Sequence, residues 1–388
     1  MSLAATLAFV PVSGQVFAST ETGDTNKTEV KNESAKPEKG EIVVTLKPGK
    51  ALPDKAMKNM GAKVVDDHSN VVDTKLKTLE VGNVDAVLKA LNRNPNVEYA
   101  ERNYTFQATA TPNDPLYSNQ YGPQNTSTPE AWGVTTGSGS QEIAVIDSGV
   151  NYDHPDLDDK TILGYDFAQN DSNPDDRNGH GTHVAGTAAA ETDNATGVAG
   201  MAPDTNILAV RALGANGSGS LNDIADAIRY SADEGAEVIN LSLGCNCDTQ
   251  TLEDAVDYAW NKGSVVVAAA GNDGVSTTFE PASYDNAIAV GAVDSNNNVA
   301  SFSNYGTWVD VTAPGVDIVS TVLRDNYDSY SGTSMASPHV AGLAGLLASQ
   351  GRSNTEIRDA IEQTAEPIYG TGYYFQHGLI DSYDAVNY

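Results

Sequence analysis

The strongest constraint on this chain is a rhythm of strands and helices that runs from about residue 140 to its end. Residues 143–147, 207–212, 238–243, 264–270 and 287–293 are short apolar runs that read as strands. Between and after them, residues 180–190, 220–234, 250–262, 334–349 and 354–364 have helical character. In the second of these, Leu221, Ile224, Ala225 and Ile228 recur at helical spacing, Ser220 can cap the start and Gly235 can end the helix. The strand runs are continuously apolar, so both faces of each must be covered. Such an order predicts an α/β domain with three layers, α/β/α, around a mostly parallel sheet.

A smaller unit precedes it. Residues 41–47 and 71–81 read as strands, 83–94 as a helix capped by Asn83, and 96–101 as a closing strand. That order predicts a compact α+β domain of about 70 residues, marginal on its own. Residues 20–40 read as a solvated linker, and residues 1–19 as the apolar part of a secretory signal, truncated because no Lys or Arg precedes Lys27. Charge divides the chain in the same way. Residues 1–109 hold 14 basic and 14 acidic residues, which leaves 8 of the 22 basic and 38 of the 52 acidic residues to 110–388. A net charge of −30 argues against nucleic acid or an anionic membrane as partner. Two cysteines cannot build a disulfide scaffold, and no apolar run is long enough to span a bilayer.

In α/β sheets reactive groups gather where strands end and helices begin. Asp147 ends an apolar strand, His180 opens a helix in Asn178-Gly179-His180-Gly181-Thr182-His183, and Ser334 opens another in Gly332-Thr333-Ser334-Met335-Ala336-Ser337-Pro338-His339. Each has an ordinary reading alone: Asp147 and Ser334 as caps, His180 with His183 as a metal pair. Together they supply a hydroxyl nucleophile, a base to take its proton and an acid to fix the tautomer of the base. The order Asp…His…Ser is the one known for subtilisin.

With the blocks around Asp147, His180 and Ser334 on the page, the chain resembles the subtilases, and within them the thermitase-like, calcium-stabilised branch. The resemblance implies a secreted serine endopeptidase, made as a self-processing precursor and acting on proteins and peptides as a monomer. It implies Ser334 as nucleophile, His180 as base and then acid, and Asp147 as the group orienting the imidazole, with His183 and His339 structural. Asn272 follows a strand and matches the family's oxyanion asparagine beside the Ser334 N–H, although Asn-Asp-Gly is also a turn sequence. The cleft walls would be Gly217-Ser218-Gly219 and Ser242-Leu243-Gly244, along which substrate lies extended. No acidic or basic residue stands out at a specificity pocket, so broad preference for apolar or aromatic side chains is expected.

The resemblance also implies calcium, which takes six to eight oxygens. The first site would use Asp114, Asp156, Asn194 and the carbonyls of Glu191, Thr196 and Val198; Asn194-Ala195-Thr196 reads as a glycosylation sequon too. A second would use Asp166, Asp171, Asp175 and the Asn173 carbonyl, with Gln169 in place of an expected Asp. A third, weak cation site would use carbonyls of Ala282, Tyr284 and Ala287. The resemblance further implies a Cys245–Cys247 disulfide beside the cleft. Residues 41–109 would be a ferredoxin-like propeptide acting as intramolecular chaperone and inhibitor, cut near Thr109–Ala110 to release a catalytic domain of residues 110–388.

Overall fold

The computed structural model describes residues 37–66, 76–104 and 111–388. The signal segment, most of the linker and the expected cut at Thr109–Ala110 lie outside the described residues. The chain divides into two compact units, up to Phe106 and from Gln107 onward.

The first unit runs β1 (Pro37–Leu46), α1 (Asp54–Asn59), β2 (Lys63–Asp66), β3 (Leu76–Glu80), α2 (Val84–Leu91) and β4 (Val97–Tyr104). Its sheet has the order β2-β3-β1-β4 with antiparallel neighbours, the ferredoxin-like arrangement. Ile42, Val44, Leu79, Leu91 and Val97 form its core. Asn83 caps α2 by accepting the Ala86 N–H at 3.0 Å. Two elements were not legible. Helix α1 is too short to show a period, and every residue of β2 is exposed, so its pattern carries no burial signal. Strand β1 also starts at Pro37, inside the segment read as linker, where it pairs with Tyr104.

The second unit opens with short helices α3 (Gly122–Asn125) and α4 (Thr128–Ala131). It continues through β5 (Glu142–Asp147), β6 (Thr161–Asp166), α5 (His180–Ala189), β7 (Asn206–Arg211), α6 (Leu221–Glu234), β8 (Val238–Leu241), α7 (Gln250–Lys262), β9 (Val265–Ala269) and β10 (Ala287–Val293). Next come β11 (Val311–Pro314), β12 (Ile318–Val322), β13 (Asn326–Tyr330), α8 (Thr333–Ala348), α9 (Asn354–Thr364), β14 (Gly378–Leu379) and α10 (Ser382–Val386). Eight strands form a parallel sheet in the order β14-β11-β10-β9-β8-β5-β7-β6, and β12 and β13 form a separate antiparallel ribbon.

The continuous apolar runs are explained by two cores. Ile143 and Val145 of β5 pack with α5, α8 and α9, whereas Ala144 and Ile146 pack with α6 and α7. Successive side chains point to opposite faces, and each face meets its own helices. The edge strand β6 escaped prediction because Ile162 and Leu163 face solvent and break the run. Strand β5 lies between β7 and β8, so the chain turns back across it, and the crevice at its carboxyl end is the topological switch point. Asp147 stands there.

Candidate active site

Asp147 is the last residue of β5 and is fully buried. His180, the first residue of α5, sets its Nδ1 at 2.8 and 2.9 Å from the two Asp147 carboxylate oxygens. This closeness depends on Gly181, where a Cβ would overlap the Gly149 carbonyl and the Asp147 Cβ. Burial pulls the His180 pKa down, but the charge and hydrogen bond of Asp147, with the charge of Asp176 behind them, leave it raised.

Asp176 was not singled out in the sequence, although it stands four residues before His180. One of its oxygens accepts the Ser148 hydroxyl at 2.8 Å and the N–H groups of Asn178 and Gly179. The other accepts the Thr182 N–H at 3.0 Å and the Thr182 hydroxyl at 2.6 Å. Ser148 in turn accepts the Gly181 N–H at 3.0 Å. This buried carboxylate fastens the first turn of α5 to the end of β5. His183 and His339 have other duties. The His183 Nε2 is 2.8 Å from the Ile318 carbonyl and its ring stacks on Tyr330, while His339 Nδ1 is 2.8 Å from the Met335 carbonyl. Burial pushes each of these rings down to about 4, so both are neutral at pH 7.

Ser334 is the second residue of α8. Four residues later stands Pro338, which has no N–H to give the Ser334 carbonyl, and that carbonyl accepts the Ser242 hydroxyl at 2.8 Å instead. The Ser334 hydroxyl donates to the Ser242 carbonyl at 3.2 Å; among the described residues none of its hydrogen bonds goes to His180. Asn272 lies opposite. Its side-chain oxygen accepts the Thr333 N–H at 2.8 Å and the Thr333 hydroxyl at 3.0 Å, which leaves the amide nitrogen to face away. A Cβ placed on Gly332 would be 3.6 Å from both the Asn272 Nδ2 and the Ser334 backbone nitrogen, so both groups lie beside this glycine. Such a pair suits a developing oxyanion.

A cavity of about 560 Å³ opens beside His180, with Gly217, Ser218 and Gly219 on its wall and Ser242, Leu243 and Gly244 also lining it. A buried acid–imidazole pair, a hydroxyl, two neighbouring N–H donors and an adjoining cleft are the parts of acyl transfer.

Comparison with known proteins agrees with this geometry. Residues 139–382 match the model of the subtilase family. The chain belongs to the subtilases. Residues 23–103 of this subtilase match the fervidolysin N-terminal prodomain. It is 68% identical over 352 residues to a thermophilic serine proteinase of Bacillus sp. (strain AK1), covering 90% of this chain and 88% of that protein. It is 57% identical over 279 residues to thermitase of Thermoactinomyces vulgaris, covering 72% of this chain and all of that one (100%). A solved protease from Pseudoalteromonas arctica PAMC 21717 superposes with a TM-score of 0.66 at 32% identity, over 72% of this chain and 99% of that one. This subtilase is therefore a serine endopeptidase made with a prodomain.

The candidate cation ligands of the subtilase differ in what they can hold. At the first loop Asp156 is buried, and its two oxygens accept the Asn194 amide and the Val198 N–H, each at 2.9 Å. Asp114 accepts the Asp193 N–H at 2.9 Å through one oxygen, while the other is buried with no hydrogen-bond partner. Burial, with the charge of Asp156 adding to it, raises the Asp114 pKa despite backbone hydrogen bonds. A buried, unpartnered carboxylate oxygen is what a hard cation would satisfy.

In the second loop the carboxylates have other partners. Asp166 gives one oxygen to buried Arg211 at 2.7 Å and the other to the Gln169 N–H at 2.9 Å. Asp171 accepts the Asn173 N–H at 2.8 Å and its backbone bridges that of Asp166, while the Asp175 backbone bridges that of Val150. Among the described residues the carboxylates that come within 4.8 Å of one another are Asp158, Asp159 and Glu191, not this trio. At the third position Ala282, Tyr284 and Ala287 share one turn, in which the Tyr284 carbonyl accepts the Ala287 N–H at 2.9 Å. Cys245 and Cys247 are bonded to each other at the cleft wall.

Proposed function

We propose that the protein is a secreted endopeptidase in which Ser334 attacks the scissile carbonyl and His180 carries the proton. The observation that carries this is the His180–Asp147 pair at the switch point of the sheet, next to a cleft edged by Ser242. Asp147 fixes the imidazole with its proton on Nδ1 and leaves Nε2 as the base. A substrate strand bonding the Ser242 carbonyl frees the Ser334 hydroxyl to turn to His180. Asn272 and the Ser334 N–H receive the oxyanion, helped by the start of α8. His180 then protonates the leaving amine, and water releases the acyl-enzyme by the same relay.

The first unit acts as propeptide, chaperone and inhibitor, with its cut near Thr109–Ala110, so the mature enzyme begins there and works as a monomer. Parallel sheets with distant partners fold slowly, which gives a folding template its use. In the first loop Asp114, Asp156, Asn194 and the Glu191, Thr196 and Val198 carbonyls would hold calcium, which would tie the segment around Asp114 to the loop after α5. In the second loop Asp166 is paired with buried Arg211, so a cation there would share that carboxylate and is expected to bind more weakly.

The experiment compares the full chain with Ser334→Ala. The wild type releases its propeptide, digests casein and is blocked by phenylmethylsulfonyl fluoride; the variant does none of the first two. A variant that still matures in isolation and digests casein removes the assignment.

A further inference from the structure

We propose that Glu280 makes the cleft favour a substrate side chain with an apolar stem and a cationic end. This rests on the endopeptidase reading and names a preference within it. The cavity beside His180 is walled by Leu213, Leu221, Ile224, Leu243 and Leu252, and Glu280 also lines it. Glu280 is only 4% exposed. One of its carboxylate oxygens accepts the Cys247 N–H at 3.0 Å and the other the Ser283 hydroxyl at 3.0 Å.

Three features hold the carboxylate there. The Cys245 and Glu280 backbones exchange N–H···O bonds at 2.9 Å in both directions. Gly244 has no side chain, and a Cβ on it would overlap Phe279 and the Glu280 carbonyl. The Cys245–Cys247 bond closes the segment that supplies the N–H donor.

The charge is left for a ligand to complete. A carboxylate has about four lone-pair positions, and two donors leave some of them open. Among the described residues no Lys, Arg or His forms an ion pair with Glu280. Residues 110–388 have only 8 basic residues against 38 acidic ones, so the protein has few cations of its own to offer. A buried charge is costly unless paired. Lys or Arg of a substrate brings methylenes for the leucine wall and a cation for Glu280. Apolar side chains still fit the wall, whereas an acidic one meets repulsion.

The test uses the active enzyme and peptides that carry norleucine, lysine or glutamate in turn at each of the four positions before the cut. At one position kcat/KM for lysine should exceed that for norleucine by about three- to tenfold in low salt, the scale of one partly desolvated charge pair, and glutamate should be poorest. The lysine-to-norleucine ratio should fall toward one in Glu280→Gln, which keeps the shape, and in molar salt on the wild type, where the charge is screened. Equal ratios in wild type and Glu280→Gln, or lysine disfavoured at all four positions, overturn the proposal. If the variant fails to fold, a wild-type ratio that does not change with salt overturns it as well. Failure to cleave any of the peptides counts against the endopeptidase reading instead.

Discussion

His180 Nδ1 is shared between the two carboxylate oxygens of Asp147, at 2.8 and 2.9 Å, in a pocket that excludes water from the carboxylate. Burial alone would lower the imidazole pKa, and the neighbouring carboxylates reverse its sign. The imidazole must be neutral to act as base, so the acid limb of kcat/KM should lie above the ordinary histidine value of about 6.5. Asp176→Asn removes one negative charge that helps to raise the imidazole pKa, and the limb should move to lower pH. A pH–rate profile that does not move would make Asp176 purely structural. Asp147→Asn should lower kcat by about 10⁴-fold, the scale known for the triad aspartate in subtilisin.

The amide of Asn272 is aimed by Thr333, which occupies its oxygen with two donors. Asn272→Ala should reduce kcat by about 10²–10³-fold with KM little changed, because the donor is used only in the transition state. Thr333→Val keeps the backbone donor and loses the hydroxyl, and its loss should be smaller. Steady-state kinetics on one peptide substrate separates these outcomes; a rise in KM without loss of kcat would assign Asn272 to ground-state binding.

The buried, unpartnered oxygen of Asp114 makes the first loop the place where a chelator should act. A ligand that binds only the folded state at a hundred times its Kd adds about 2.7 kcal/mol of stability. Calorimetry of the wild type should therefore show a melting temperature several degrees lower in chelator than in calcium. Asp156→Ala should melt lower and lose that difference. A wild-type melt that ignores the chelator removes calcium from this loop.

Lys160 is a buried cation, 7% exposed, whose ammonium donates to the Pro203 carbonyl. Burial lowers its pKa to about 7, against the opposing charges of Glu191 and Asp204. The unfolded chain then binds one more proton than the folded one between about pH 7 and the normal lysine value of about 10.4, so stability rises with pH across that window. Below pH 7 the cost of the buried charge is fully present. In Lys160→Met the rise between pH 7 and 10 should be shallower, as measured by denaturant unfolding in chelator-free buffer. Identical slopes in the two proteins would mean that the lysine remains charged throughout.

Most of the sheet and the principal helices could be read from the chain because their causes are local. Continuous apolar runs, caps such as Ser220 and Asn83, and Gly235 in the left-handed conformation act within a turn or two. Hence α7, β10 and α9 have the expected bounds, whereas β6, with Ile162 and Leu163 turned to solvent, had no such signature. The three blocks around Asp147, His180 and Ser334 were equally legible, since each is a short segment at a strand end or helix start.

The fate of each acidic residue was decided by the tertiary structure. The chain offers 52 carboxylates of the same chemistry, and nothing local tells them apart. Parallel crossovers bring Arg211 at the end of β7 to Asp166 at the end of β6, and a residue read as a cation ligand gains a buried cationic partner. The bridge between Cys245 and Glu280 carries another carboxylate into the cleft wall from 35 residues away. Asp176 becomes a clamp on α5 only because Ser148 and Thr182 meet it inside the protein. By itself the sequence determined the layers, because apolar periodicity and capping are short-range, and the class of chemistry through the three blocks taken together and their resemblance to the subtilases. Charge and proton affinity depend on burial and on partners distant in the chain, and only the folded sheet supplies those.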